Sequence, residues 1–329
     1  MNYIQSTAAD PEASSDQPSD QPSDHMSIPA RPAPAFVRVV QGDAWANLRE
    51  IRDASVHSVV TDPPYALDSK GQMLGQLSKN YHQRATHSRG YADNSPEVFK
   101  AWCADWTAQR LRVLLPGGYL VAFAGAQTIH LLVSACQEAG FQVRDLIVWA
   151  HGAGVSNGLN LLDENGKRIG WGTTLRPATE FAVLARCPFE GTVASNVARF
   201  GTGAMNLGET HFGSEDRWPS NMLVSDDVAE ALGKSGRLFF SPKASRRERP
   251  EVDGVSHSTV KPLVLMCELV RLVTPPCGIV LDPFAGSGTT VEAALREGMS
   301  VIGIERDAGY LPLIDARVER ARRMTDPPD

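Results

Sequence analysis

A chain of 329 residues with 42% apolar side chains can bury one large core or two small ones. It holds no apolar run of about eighteen residues and no basic start followed by an apolar stretch, which argues against a membrane span and a secretory signal. A net charge of −6 would disfavour nucleic acid if it were spread evenly, but residues 1–34 carry −4 of it and the last four residues −2, leaving the body near neutral.

The first 34 residues are rich in Ser, Asp, Pro and Ala and repeat Asp-Gln-Pro-Ser, so too few apolar side chains are present to offset the entropy of ordering, and an acidic disordered tail is expected. Phe36–Gln41 and Ser55–Thr61 read as strands, ended by Gly42-Asp43 and by Asp62-Pro63-Pro64. Residues 66–95 form a long polar loop of the kind that is usually functional or disordered. Pro96–Leu115 reads as a helix stopped by Pro116-Gly117-Gly118, Tyr119–Phe123 as a buried strand, Gln127–Ala139 as a helix and Val143–Trp149 as a strand. Residues 151–176 read as loop and Glu180–Ala185 as a short apolar strand. The α/β alternation lapses from Cys187 to Gly254, which marks an inserted region. It resumes with a helix at Pro262–Val273, a strand at Ile279–Leu281, a helix ending at Glu297, a strand at Ser300–Ile304 and a last helix from about Ala308 to Met324. Strands alternating with helices predict an open α/β sheet. The five cysteines have neither CxxC nor metal-ligand spacing and read as reduced core thiols of a cytoplasmic protein, so no metal is expected.

Two turns carry chemistry. Phe284-Ala285-Gly286-Ser287-Gly288-Thr289-Thr290 lies between a strand and a helix, at the sheet edge where open α/β proteins bind ligands. Gly286 and Gly288 remove Cβ atoms that would keep a ligand from the backbone. No lysine follows Gly288, as a nucleoside triphosphate loop requires, and Val291 stands where a dinucleotide fold needs its third glycine. A nucleoside-bearing cofactor without phosphates remains, and Glu305, nineteen residues past Gly286 at the end of the next strand, can accept from both ribose hydroxyls. A bare structural turn and a helix-start acid are the alternatives.

The second turn is Asp62-Pro63-Pro64-Tyr65, also at a strand end. An exocyclic base amine is a poor nucleophile because its lone pair is delocalised into the ring. Two acceptors aimed at its N–H protons draw the nitrogen toward tetrahedral geometry. The Asp62 carboxylate supplies one acceptor and the Pro63 carbonyl the other, with consecutive prolines stiffening its direction. Tyr65 offers a face for a flipped base. The bland alternative is a proline turn with Tyr65 packed locally.

Together these two motifs resemble the S-adenosylmethionine-dependent amino-methyltransferases of DNA. The catalytic motif precedes the cofactor motif, as in the β class, whose sheet is circularly permuted. His257-Ser258-Thr259-Val260-Lys261-Pro262 is similar to the family's His-Pro-Thr-x-Lys-Pro segment, with Ser258 in place of proline. The resemblance covers about 35–325. It implies an open, mostly parallel Rossmann-like sheet with an inserted target-recognition region, divided as catalytic residues 35–187, recognition residues 188–254 and cofactor-binding residues 255–325. It implies catalysis by Asp62, Pro63, Pro64 and Tyr65, and S-adenosylmethionine bound by Asp43, Lys261, Asp282, Phe284, Ala285, Gly286, Ser287, Gly288, Thr289 and Glu305.

Within that family Asp-Pro-Pro-Tyr points to adenine N6, with cytosine N4 as the alternative. Carbon-5 transfer would need a cysteine nucleophile, and Cys277 reads as structural. Double-stranded DNA is the expected partner, without a membrane; a homodimer and a cognate restriction nuclease are compatible with the family. Lys234, Arg237, Lys243, Arg246, Arg247 and Arg249 crowd sixteen residues opposed only by Glu248, and of these Lys243, Arg246, Arg247 and Arg249 are taken as DNA contacts. Methylation of RNA or of a protein amide, a catalytically dead DNA-binding protein and, more distantly, a dinucleotide oxidoreductase are the competing readings.

Overall fold

The computed structural model describes residues 35–65, 96–151, 159–208, 220–224, 239–240, 244, 248–252, 254–257 and 260–325. The acidic tail, the loop at 66–95 and three of the four expected DNA contacts, Lys243, Arg246 and Arg247, lie outside them.

In chain order the elements are β1 (Val37–Gln41), α1 (Ala44–Arg49), β2 (Val56–Thr61), α2 (Pro96–Val113), β3 (Leu114–Ala124), α3 (Ile129–Ala139), β4 (Gln142–Ala150), β5 (Asn160–Leu162), β6 (Arg168–Gly172), β7 (Thr179–Arg186) and α4 (Val193–Phe200). Then come β8 (Met222–Val224), β9 (Phe239–Phe240), β10 (Glu251–Val252), β11 (Val255–Ser256), α5 (Leu263–Val273), β12 (Ile279–Asp282), α6 (Thr289–Arg296), β13 (Ser300–Glu305) and α7 (Leu311–Thr325).

A nine-stranded sheet has the order β1-β13-β12-β2-β3-β7-β4-β8-β9. Its strands run parallel except β7, which is antiparallel to both β3 and β4. Successive side chains of β2 and β3 alternate between the two faces with the expected period of two, and both faces are buried. Val60, Val121 and Phe123 pack with Met266, Val291 and Ile314 on the face covered by α5, α6 and α7, while Val59, Leu120 and Ala122 pack with Leu48, Trp106 and Leu132 under α1, α2 and α3. Helices on both faces are what a largely parallel sheet requires, since neither face can be left to water.

The order also fixes where a ligand can sit. β12 and β2 are neighbours, with Leu281 opposite Val59, yet the chain leaves β12 toward β13 and leaves β2 toward β3. Connections diverging from adjacent parallel strands open a crevice at the strands' carboxyl ends. Gln41, Thr61, Asp282 and Glu305 all end strands on that edge.

Three sequence expectations need correction. The Pro116-Gly117-Gly118 break does not separate helix from strand, because α2 ends at Val113 and β3 begins at once, with Gly117 at φ +78°. Residues 151–176 are not loop throughout: β5 and β6 pair as a hairpin whose turn is held by Asp163 Oδ1 accepting from the amides of Asn165 and Lys167. The region from Cys187 to Gly254 is not wholly outside the α/β pattern, because β8 and β9 extend the main sheet alongside β4 and α4 carries a Thr192–Ser195 capping box. Short strands of two or three residues leave too little periodicity to read.

The described cysteines are all free thiols, with Cys103, Cys136 and Cys187 buried. Among the described residues no helix is long and apolar enough to cross a membrane, and no cluster of His, Cys, Asp and Glu could hold a metal ion.

Candidate active site

β2 carries the sequence into the crevice and delivers Asp62 just past its last residue. Asp62 Oδ1 accepts from the Tyr65 hydroxyl at 2.7 Å, and Oδ2 accepts from Lys261 Nζ at 2.6 Å. Lys261 sits immediately before α5 and is almost fully buried. Its ammonium also donates to the Tyr65 oxygen at 2.9 Å, lies 3.1 Å from Glu180 Oε2 and rests over the Phe123 ring at 4.8 Å. Pro63 is buried and Pro64 exposed, so the turn is anchored at one proline and open to solvent at the next.

Glu180 was not singled out from the sequence. It enters because β7 is antiparallel, so the first residues of β7 fall on the edge where its neighbours end, with Glu180 opposite Trp149. Its Oε2 accepts from the Tyr65 hydroxyl at 3.3 Å, and its Oε1 lies 3.6 Å from Nε2 of the buried His151. The one available signal was an acid opening an otherwise apolar strand.

The charges settle each other. Burial alone would raise the Glu180 carboxyl, but His151 and Lys261 outweigh it and bring it down to about 2. Burial would lower the Lys261 ammonium, yet Asp62 and Glu180 hold it above its ordinary value. Burial, with the same two carboxylates, pushes the Tyr65 phenol well up, so it stays a neutral donor. The cluster sets two acidic side chains, Asp62 and Glu180, against the Lys261 ammonium, with His151 on the far side of Glu180.

The glycine-rich turn lies beside it. The Asp282 carboxylate is buried and accepts from Thr61 Oγ1 at 2.7 Å and from the Phe284 amide at 3.1 Å. Glu305 accepts from the Gly286 amide (Oε2, 2.7 Å) and the Asp307 amide (Oε1, 2.7 Å). Two backbone donors orient this half-buried carboxylate and leave further lone pairs for a ligand's hydroxyls. Gly286 is left-handed at φ +52°, and a Cβ there would stand 3.2 Å from His257 Nε2, so any side chain would crowd the space over the turn.

Other expected cofactor residues have different or additional duties. Gly288 is needed for packing: its missing Cβ would meet Ile314 of α7 at 3.1 Å. Phe284 lies in an aromatic cluster, with ring centroids 5.7 Å from Trp102 and 6.0 Å from Trp106. Asp43 caps α1 by accepting from the Trp45 and Ala46 amides. Lys261 is engaged by Asp62, Tyr65 and Glu180. Ala285, Ser287 and Thr289 are buried in the turn, which closes through Gly288 N donating to the Ala285 carbonyl at 2.7 Å. Arg249, the one described member of the expected DNA contacts, is exposed.

A family model described as DNA methylase, covering the N6 and N4 enzymes, matches residues 56–316. The type II methyltransferase M.HindIII of Haemophilus influenzae is 27% identical over 301 residues, spanning 82% of this chain and 91% of that protein. M.HinfI, also from Haemophilus influenzae, is 23% identical over 285 residues, spanning 86% of this chain and 68% of that protein. Among solved structures, the cytosine-N4-specific PvuII DNA methyltransferase superposes with a TM-score of 0.57 at 16% identity, covering 88% of this chain and 93% of the other. The M1.HpyAVI–SAM complex does so with a TM-score of 0.52 at 20% identity, covering 86% and 99%. These structures share the fold.

Proposed function

The chain belongs to the family of N6/N4 DNA methylases, and from that premise we propose that it transfers a methyl group from S-adenosylmethionine to the exocyclic amine of a flipped base in duplex DNA, with adenine N6 as the acceptor. The observation that carries this reading is the position of Asp62. Its carboxylate is fixed at the mouth of the crevice by Tyr65 and Lys261, on the strand next to the glycine-rich turn.

The residues of that turn fit the cofactor. Glu305 offers a fixed carboxylate for ribose hydroxyls, and Gly286 keeps the approach to the backbone open. When bound, S-adenosylmethionine supplies a methyl group made electrophilic by its positive sulfur. Asp62 then accepts an N–H of the target amine, and the Pro63 carbonyl is assigned the second N–H. Both acceptors hold the developing ammonium more strongly than the neutral amine, and this difference is what accelerates transfer. The proton lost afterwards passes to water, so Asp62 need not be the final base. Tyr65 keeps its hydroxyl on Asp62 and leaves its ring as the surface for the base.

Adenine follows from the resemblance of Asp62-Pro63-Pro64-Tyr65 to the adenine-modifying members. Cytosine N4 is the second reading, and the PvuII enzyme with this fold is cytosine-specific. We assign target recognition to residues 188–254, with Arg249 and the sequence neighbours Lys243, Arg246 and Arg247 as phosphate and base-edge contacts. Replacing Arg246 and Arg247 together should weaken DNA binding and flatten its salt dependence; binding unchanged at several salt concentrations counts against that assignment. A nuclease cutting the same sequence is a partner compatible with this reading.

Sequencing the DNA of an expressing host with modification detection tests the proposal. One methylated base in one sequence context supports it and names the base. DNA without added methyl groups overturns it.

A further inference from the structure

We propose that Glu180 is a positioning residue for methyl transfer, holding the Lys261 ammonium so that Asp62 remains a strong acceptor for the target amine. The inference rests on the methyltransferase reading of the site and extends it to a residue outside both motifs.

The geometry poses a problem that Glu180 solves. Asp62 already accepts from Tyr65 on one oxygen and from Lys261 on the other. Each carboxylate oxygen has a second lone pair, so an amine N–H can still be accepted. An ammonium at 2.6 Å, however, weakens the carboxylate as an acceptor and opposes the positive charge that develops on the amine. Countered by Asp62 alone, Lys261 would leave a pair of zero net charge at the reacting centre. Glu180 changes the balance. Its Oε2 takes the same ammonium at 3.1 Å and gives the Tyr65 hydroxyl a second acceptor at 3.3 Å. The ammonium is thus shared between two acidic side chains, so less of its charge is set against Asp62 and against the positive charge that gathers on the amine nitrogen in the transition state.

Every element around Glu180 fits this assignment. His151, at the end of β4, faces the other carboxylate oxygen at 3.6 Å. Lys261 approaches from the start of α5, and Asp62 and Tyr65 from the turn after β2. The Phe123 ring of β3 closes the far side of the ammonium at 4.8 Å. In this aromatic-walled space the ammonium has few places to go, so the two carboxylates share it. Glu180 touches no reacting atom. Its effect passes through Lys261 and Tyr65.

The test is a set of single-turnover rates on duplex DNA with saturating S-adenosylmethionine, for the full chain and for Glu180→Gln, Glu180→Asp, Lys261→Met and the double variant Glu180→Gln/Lys261→Met. Cofactor affinity by calorimetry and thermal melting are read on each. Glu180→Gln should lower the rate by about 10²-fold, the scale of a lost preorganised electrostatic contact, with cofactor affinity unchanged. Glu180→Asp keeps the charge and should recover at least a tenth of the wild-type rate. With Lys261 gone the ammonium no longer needs a second counter-charge, so the double variant should be no slower than Lys261→Met alone. The proposal is overturned by a Glu180→Gln rate within about twofold of wild type, by equal losses for Gln and Asp, or by losses that multiply in the double variant. Wild-type protein that transfers no methyl group to DNA would instead remove the methyltransferase reading itself, so the two failures are distinct.

Discussion

Thr61 Oγ1 donates a 2.7 Å hydrogen bond to Asp282 Oδ1 across 221 residues of chain. Thr61 is the last residue before the Asp62 turn and Asp282 the last before the glycine-rich turn. This buried contact therefore sets the separation of the two halves of the site. Thr61→Val leaves Asp282 without one of its donors and should cost about 1–3 kcal/mol of stability. Urea unfolding measures this, and a midpoint equal to wild type would show that the contact contributes nothing.

Burial pushes the Asp282 carboxyl from its ordinary 3.8 up to about 6, against the hydrogen bonds from Thr61, Thr290 and the Phe284 amide that favour its charged form. A carboxyl raised on folding contributes stability that is complete below its unfolded value and is lost as pH rises through its folded value. This group should therefore remove about 3 kcal/mol between pH 3.8 and about 6. Asp282→Asn lacks that slope. Unfolding of both proteins at several pH values across the window tests it, and parallel curves would contradict the assignment.

Glu305 is held by two amides in a position suited to ribose hydroxyls. Glu305→Gln keeps an oxygen for one of those amides and loses the charge. A charge-assisted hydrogen bond contributes about 1.5–3 kcal/mol, so cofactor affinity should fall by about 10-fold to 100-fold while the fold survives. Calorimetry with S-adenosylmethionine measures it, and unchanged affinity would remove Glu305 from the cofactor site.

The support behind the turn is ionic. Glu292 of α6 is fully buried and accepts from Arg317 at 2.7 Å, from Arg296 at 2.7 Å and from Arg320. Arg317 is itself fully buried and also reaches the Glu248 carbonyl at 2.7 Å. Glu292→Ala leaves a buried guanidinium without its counter-charge, which should cost about 3–5 kcal/mol. Denaturant unfolding checks this. A loss below about 1 kcal/mol would mean that Arg317 finds another partner.

Much of this arrangement is legible in the sequence because it depends on local rules. Asp62-Pro63-Pro64-Tyr65 and Phe284–Thr290 each follow a β-branched, apolar strand, and a parallel α/β sheet sends all such strand ends to one edge. Glu305 follows from the spacing of one strand, helix and strand. What stays hidden depends on direction and pairing. Nothing in the composition of β7 says that it runs antiparallel, and only that reversal places Glu180 beside Lys261. The ion pair of Lys261 with Asp62 spans 199 residues. Gly288 reads as a ligand-approach glycine until Ile314 of α7 is seen packed against it. β8 and β9 are too short to show a period and join the sheet only through tertiary pairing.

The most direct measurement is transfer of tritiated methyl from S-adenosylmethionine to duplex DNA by the wild-type chain and by Asp62→Ala, with cofactor affinity of both determined by calorimetry. The account predicts label in DNA for the wild type, none above background for Asp62→Ala, and closely similar cofactor affinities. Robust turnover by Asp62→Ala would contradict it.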